Sequence, residues 1–276
     1  MHLLEKNILS IYQEKGKDWI ASLPKRVQEL ADLWGLDALQ PFSNLSYNYV
    51  LEGYQKETPV VLKITLNELA LSREVQCLAA FSNYGAATVL NHTNDALLIQ
   101  KAIPGKILKT YFPKGDQNAI KTSCEVMKKL HQAPLPKEHN FPHIQDWLAL
   151  LDQEWDIPSS YLQQARKLKT NLLAQQTDLV LLHGDLHQEN VISNGDDWLV
   201  IDPKGVIGYP INEIWSFVED PQKDLLFIAE YFNFPFLHVV QWYYVHLVLA
   251  ACWQIEGHLD PKLFLDLADI ACSMMI

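Results

Sequence analysis

The sequence predicts an α+β protein of two lobes: a small β-rich lobe with an N-terminal helical extension, and a larger helical lobe. Three observations carry this. Residues 2–34 space their apolar side chains at helical intervals, residues 41–103 gather β-branched and aromatic residues into short runs, and beyond Pro104-Gly105 helical periodicity returns.

In the extension, Leu3, Leu4, Ile8 and Ile11, then Ile20, Leu23, Val27, Leu30, Leu33 and Trp34, follow a helical stripe, with a break expected near Gly16 and an end near Gly35. "LSYNYVLEGY" and "PVVLKIT" flank "QKET" and read as a hairpin whose second strand holds Lys63. Residues 67–84 read as a helix with Leu69, Ser72, Val75, Leu78 and Ala79 on one face and Glu74 near the opposite side. "ATVLNHTNDALLIQKA" supplies two more strands around an Asn-Asp turn. The strongest break is Pro104-Gly105, so the lobes are expected at 1–103 and 104–276. In the second lobe, helices are expected over 116–132, 143–155, 159–177, 211–219, 224–232, 235–256 and 261–275, with the short apolar runs "DLVLLHGD" and "DWLVIDPK" among them.

Composition narrows the function class. With 276 residues, 49% of them hydrophobic and 20% charged, the chain is globular, neither disordered nor fibrous. A net charge of −11 repels nucleic acid and anionic membranes and would concentrate a cationic small molecule in an acidic cleft. Cys77, Cys124, Cys252 and Cys272 lie far apart, which points to reduced thiols and a cytoplasmic protein without structural zinc. The N-terminus has no apolar core of signal-peptide length. The longest apolar run, 242–253, contains His246 and falls short of the ~20 residues that span a bilayer, so it reads as a buried helix. Nothing in the sequence speaks to oligomeric state.

The chemistry concentrates in His183-Gly184-Asp185-Leu186-His187-Gln188-Glu189-Asn190, followed by Asp202-Pro203. Five specified positions recur by chance about once in millions of starting points. Phosphoryl transfer asks a protein for charge neutralisation and positioning. Asp185 can accept the proton of an acceptor hydroxyl, and Asn190 and Asp202 can hold Mg²⁺ through hard oxygens. Lys63 can reach nucleotide phosphates, and Glu74 can orient Lys63. Asp202, flanked by "WLVI", ends a buried strand, where a carboxylate is costly unless paired or bound to metal. His183-x-Asp185-x-His187 can also be read as the metal triplet of a hydrolase; alternatively the imidazoles hold the loop through backbone hydrogen bonds.

These residues resemble the aminoglycoside phosphotransferase family of protein-kinase-like small-molecule kinases, whose signature is HGDxHxxN followed by a short strand and an Asp. "LLHGDLHQENVI" and "WLVIDPKGVIG" are most similar to its streptomycin-phosphotransferase and hydroxyurea-resistance-kinase branch, densely over about 180–210. The resemblance implies a bilobal protein-kinase-like fold with ATP between an N-terminal nucleotide-binding lobe and a C-terminal lobe for catalysis and acceptor binding. It implies Asp185 as catalytic base, Asn190 and Asp202 as Mg²⁺ ligands, Lys63 with Glu74 as the phosphate-binding pair, and adenine against the connector near Lys101 and Ile103. "NLSYNYV" would cover the phosphates, with Ser46 a contact. The chain lacks the GxGxxG loop, HRD, DFG and APE of protein kinases. Lys204 sits beside the presumed metal site with no role assigned by the motif.

The activity so implied is ATP- and Mg²⁺-dependent phosphorylation of a hydroxyl on a small cationic acceptor, an aminoglycoside of the streptomycin type. Glu213, Glu219, Asp220 and Glu256 are candidates for an acidic acceptor pocket, with Trp215, Trp242, Tyr243 and Trp253 as walls or as core. A metabolic kinase for an amino alcohol, a sugar or a hydroxyurea-like compound, a nucleotide-binding protein without transferase activity, and a metal hydrolase remain alternatives.

Overall fold

The computed structural model describes residues 2–112, 116–175 and 178–276. α1 (His2–Trp34) is broken, and the break falls at Gln13 (φ 49, ψ −125), shortly before Gly16. Gly16 instead serves a close approach: a Cβ there would lie 2.9 Å from both Cγ2 and the carbonyl oxygen of Ile8. Eight residues of straight helix would separate Ile8 and Gly16 by about 12 Å, so the two halves of α1 fold back on each other.

Behind the second half of α1 lies an antiparallel five-stranded sheet of β1 (Leu36–Pro41), β2 (Tyr49–Gln55), β3 (Thr58–Ile64), β4 (Val89–His92) and β5 (Ala96–Gln100), in the order β1-β2-β3-β5-β4. The expected hairpin is β2–β3. β1 was not expected: "LDALQP" lacks β-branched residues, and it pairs as an edge strand with an irregularity between Asp37 and Gln40. β3 is central and alternates faces. Val60, Leu62 and Ile64 pack with Leu23 and Leu30 of α1, while Lys63, paired with Val50 and Leu97, takes the other face. Arg26 of α1 grips Asp95 beside the sheet through two hydrogen bonds of 2.6 and 2.8 Å.

α2 (Glu68–Ala80) starts at Asn67, whose side chain accepts from the Ala70 N–H. Its buried residues are Leu71, Glu74, Cys77 and Leu78, whereas Leu69 is 54% exposed. The expected orientation is therefore wrong, because apolar spacing cannot register a buried ion pair on Glu74. Leu71, Cys77 and Leu78 join the core of the helical lobe, which ties the two lobes together.

After Gln100 the chain leaves this sheet and enters a second one at β6 (Pro104–Ile107). α3 (Leu108–Tyr111), α4 (Gln117–Leu130), α5 (Ile144–Leu148) and α6 (Ser159–Leu173) follow, α5 continuing as a 3₁₀ turn over Ala149–Asp152. Positions 176–177 of the expected 159–177 helix lie outside the described residues. β7 (Val180–Leu182) and β10 (Val206–Gly208) form a two-stranded ribbon, while β8 (Val191–Asn194) and β9 (Asp197–Val200) complete the order β6-β8-β9. The expected 211–219 helix is a 3₁₀ segment, Pro210–Phe217. α7 (Pro221–Phe232), α8 (Phe236–Glu256) and α9 (Lys262–Ser273) close the lobe.

By length and composition α8 could cross a bilayer, being longer than the apolar run read from sequence. Yet 72% of its most apolar 18-residue window is buried within the protein, as befits a core helix. Trp242 and Tyr243 on α8 are core, Trp215 and Trp253 partly buried against it, and none lines a pocket wall at the site.

Candidate active site

Two short ribbons present the motif. β7 delivers His183 to Asn190 as a loop ahead of β8, and β9 ends just before Asp202. The His183 ring is fully buried and uses both nitrogens: Nε2 lies 2.9 Å from the Ile201 carbonyl, and Nδ1 accepts from the Asp185 N–H at 3.2 Å. Burial pushes its pKa down, consistent with a neutral ring that donates through Nε2. His187 Nδ1 accepts from the Glu189 N–H. Both rings thus lock the loop, as one of the two readings of these histidines expects, and they do not converge on a common ion. No group of three or more His, Cys, Asp or Glu side chains stands at metal-binding spacing among the described residues.

Glu213, a candidate acceptor ligand by sequence, has a different place. It is 2% exposed, and its two carboxylate oxygens accept from the backbone N–H groups of His183 (2.7 Å) and Gly184 (2.8 Å). His131 Nε2 approaches the same carboxylate at 3.4 Å. Ser216 adds a bond to the Leu186 carbonyl, so the 3₁₀ segment scaffolds the whole loop. Gly184 has φ 81, and a Cβ there would meet Trp147 at 3.0 Å, so this turn requires glycine.

Lys63, Glu74 and Asp202 converge from β3, α2 and the end of β9. Lys63 Nζ lies 2.7 Å from Glu74 and 2.8 Å from Asp202, a residue 139 positions away in sequence. Burial opposes the charge on Lys63, but the two carboxylates outweigh it and hold the ammonium above the ordinary lysine range. With two carboxylates around one ammonium, Glu74, the deeper of them, is pushed up to about 7 by burial and held from going further by Lys63. Burial alone would raise Asp202 as well, yet Lys63 wins and keeps it below the usual carboxylate range. Asp202 adopts φ 57, a left-handed conformation that costs a non-glycine residue about 1–3 kcal/mol and that clusters at functional sites.

Asp185 faces this cluster. Lys204 Nζ, 60% exposed, lies 3.3 Å from Asp185 Oδ2, and Asn190 donates its side-chain amide to the Asp185 carbonyl at 2.9 Å. That bond fixes the Asn190 amide and leaves its oxygen, which takes no hydrogen bond among the described residues, able to act as a ligand.

Two cavities meet here. One, of about 380 Å³, is bounded by Val50, Val61, Leu97, Ile99, Lys101 and Ala102, and reaches Ser46, Lys63, Glu74 and Asp202. Its apolar walls and strand connector suit an adenine nucleotide. Ile103, expected at this contact, is displaced: its side chain is 56% exposed, its N–H goes to Asn194 and its carbonyl to the Gly195 N–H. The Lys101 N–H is taken by the Pro59 carbonyl and its ammonium by Glu52, which leaves the Ala102 N–H unused among the described residues.

The second cavity, about 610 Å³, shares Ser46, Lys63, Glu74 and Asp202 and adds Asp185, Lys204, Arg73, Trp147 and Tyr12. None of Glu213, Glu219, Asp220 or Glu256 lines it. Asp220 pairs with Lys223, the N–H groups of Glu219 and Asp220 bind Asp224 at the start of α7, and Glu256 ends α8 on the surface. These acids follow local helix-end chemistry, which composition alone cannot distinguish from a pocket. Trp147, Arg73 and Tyr12 were not singled out by sequence reasoning, since no local pattern marks them.

A family model described as aminoglycoside/hydroxyurea antibiotic resistance kinase matches residues 38–230. Streptomycin 6-kinase of Streptomyces glaucescens is 24% identical over 281 residues, covering 91% of this chain and 90% of that one. Streptomycin 3''-kinase of Klebsiella pneumoniae is 31% identical over 168 residues, covering 58% and 60%. A thermostable mutant of aminoglycoside phosphotransferase APH(4)-Ia, in ternary complex with ADP and hygromycin B, matches with a TM-score of 0.68 at 13% identity over 90% of this chain and 96% of that one. At that identity the structural likeness speaks to the fold, which is the expected bilobal, protein-kinase-like one.

Proposed function

The chain belongs to the aminoglycoside/hydroxyurea antibiotic resistance kinase family, and we propose that it transfers the γ-phosphate of ATP to a hydroxyl of an aminoglycoside of the streptomycin type, with Mg²⁺ accompanying the nucleotide. The observation that carries this reading is the convergence of Lys63, Glu74, Asp185, Asn190 and Asp202 where an apolar nucleotide-sized cavity opens into a larger one.

In this reading the adenine occupies the cavity beside Ala102, and the segment 42–48, with Ser46, covers the phosphates. Glu74 holds Lys63 in place, and Lys63 neutralises phosphate charge. The donor set fits a hard cation: the Asn190 oxygen is left over by the amide bond to Asp185, and the Asp202 side chain is 52% exposed towards the cavity. When bound, Mg²⁺ supplies charge neutralisation on the phosphate oxygens. Asp185 accepts the proton of the acceptor hydroxyl as its oxygen attacks phosphorus, and the phosphorus–oxygen bond to ADP breaks. Lys204 lies where it can balance the charge on Asp185. The free cysteines, three of them buried, support a cytoplasmic setting.

A second reading, a less cationic hydroxylated acceptor such as a sugar or a hydroxyurea-like compound, draws on one observation. The only acidic side chains on the larger cavity are Glu74, Asp185 and Asp202 of the transfer machinery, while Arg73 and Lys204 also face it, all among the described residues. Coupled ADP release with Mg-ATP across streptomycin, other aminoglycosides, choline, sugars and hydroxyurea tests both, with Asp185→Ala alongside. Turnover on streptomycin, abolished in Asp185→Ala while nucleotide binding persists, is the expected result. Turnover confined to neutral acceptors would select the second reading, and full activity in Asp185→Ala would refute the mechanism.

A further inference from the structure

The family model begins at residue 38, yet α1, which lies wholly before it, lines the larger cavity and packs on a segment that borders the smaller one. Its first segment, residues 2–12, ends at the left-handed Gln13 and folds back so that Ile8 rests on Gly16. A strained backbone at a residue that could have continued a helix needs compensation from the surroundings. Here the compensation is visible. Leu4 and Ile8, 0% and 1% exposed, form a small buried cluster with Leu45, which belongs to the segment covering the nucleotide phosphates. Asn7 donates its side-chain amide to the carbonyl of Ser46, the next residue of that segment, at 3.1 Å. The same helical face also presents Ile8, Ile11 and Tyr12 to the larger cavity, which Trp147 and Asp185 line as well, and Tyr12 packs against the Leu4–Ile8–Leu45 cluster. Ile11 is 56% exposed there, a large apolar side chain held at the rim of a polar site.

We propose that residues 2–12 form the acceptor-binding wall of this enzyme, Ile11 and Tyr12 packing against the apolar faces of the acceptor's rings, and that the same segment braces the phosphate-covering loop, joining the acceptor and nucleotide sites. The inference rests on the phosphotransferase reading above. An apolar wall complements what the cavity lacks in carboxylates: it selects by shape and ring contact. Because Leu4 and Asn7 hold the loop from the same short helix, with Tyr12 packed against the Leu4 cluster, an acceptor seated on Ile11 and Tyr12 stiffens the support of the nucleotide.

The test uses the full chain and varies streptomycin and Mg-ATP in turn. Ile11→Asn and Tyr12→Ala are expected to raise the KM for streptomycin about tenfold or more, the range for losing one apolar contact. The KM for ATP stays within about twofold and kcat is largely retained, the split expected of a binding surface. Leu4→Ala touches neither cavity and is expected to weaken ADP affinity, measured by calorimetry without acceptor, by about threefold or more. Ile11→Asn, outside that cluster, leaves ADP affinity unchanged in the same measurement. Wild-type streptomycin KM in both Ile11→Asn and Tyr12→Ala would overturn the inference. If the wild-type enzyme does not phosphorylate streptomycin, the acceptor reading fails. The calorimetry then decides alone: weakened ADP binding in Leu4→Ala but not in Ile11→Asn upholds the brace, and equal affinity in both overturns it.

Discussion

Glu213→Gln is the sharpest test of how the loop carrying Asp185 is held. The wild-type carboxylate is 2% exposed and accepts one backbone N–H at each oxygen, from His183 and Gly184, at 2.7 and 2.8 Å. Glutamine has nearly the same shape but offers one acceptor and one NH₂, which must face a backbone N–H. One charge-assisted bond of about 1.5–3 kcal/mol is lost, and the donor left buried without a partner costs about 1–3 kcal/mol more. Solvent screens little at this depth, so the variant should be roughly 3–5 kcal/mol less stable, a fall in Tm of roughly 10 °C for a chain of this size. Urea unfolding should show a lower midpoint at unchanged m, and kcat should fall at least about tenfold because Asp185 rides on the clamped loop. Wild-type stability combined with a raised acceptor KM would refute the clamp and return Glu213 to the acceptor-binding role read from the sequence.

Lys63→Met leaves Glu74 and Asp202 facing each other without their shared cation, and should cut kcat/KM for ATP by about 10²–10³ in steady-state assays. Glu74 titrates near 7 in the folded protein against 4.5 in an ordinary peptide, so the folded chain binds more protons between those values. Its contribution therefore favours folding below 4.5 and is lost as pH rises through 7; Glu74→Gln should abolish that slope in unfolding free energy measured against pH. Lys204→Met should leave stability within about 1 kcal/mol, because the side chain is exposed, yet lower kcat more than either KM.

How much of this was legible in the linear chain depends on how local each interaction is. The loop 183–190 and Asp202 could be read directly because their chemistry needs fixed residue types at short spacing, flanked by apolar strands. Lys63 was visible only as a lysine inside a strand; that β3 is central, with Lys63 turned from the α1 face, follows from pairing with β2 and β5. Glu74 was placed on the wrong face because hydrophobic periodicity treats every charge as solvent-facing, whereas an ion pair with Lys63 makes its burial tolerable. β1 escaped notice because an edge strand gains its stability from a neighbour more than from its own composition.

The acceptor side shows the limit most clearly. Glu213, Glu219, Asp220 and Glu256 are acidic residues of the helical lobe, but one clamps a loop, two sit at a helix start and one ends a helix, while Tyr12, Arg73 and Trp147, far apart in the chain, share the cavity. By itself the sequence determined the two-lobed fold, the phosphotransfer motif and the chemical type of each group in it, since these depend on residue type and short-range spacing. Only the tertiary structure decided which charges are paired, which glutamate supports the loop and which helix lines the larger cavity. Those outcomes depend on contacts between residues as much as 139 positions apart, and such contacts leave no periodic trace in the chain.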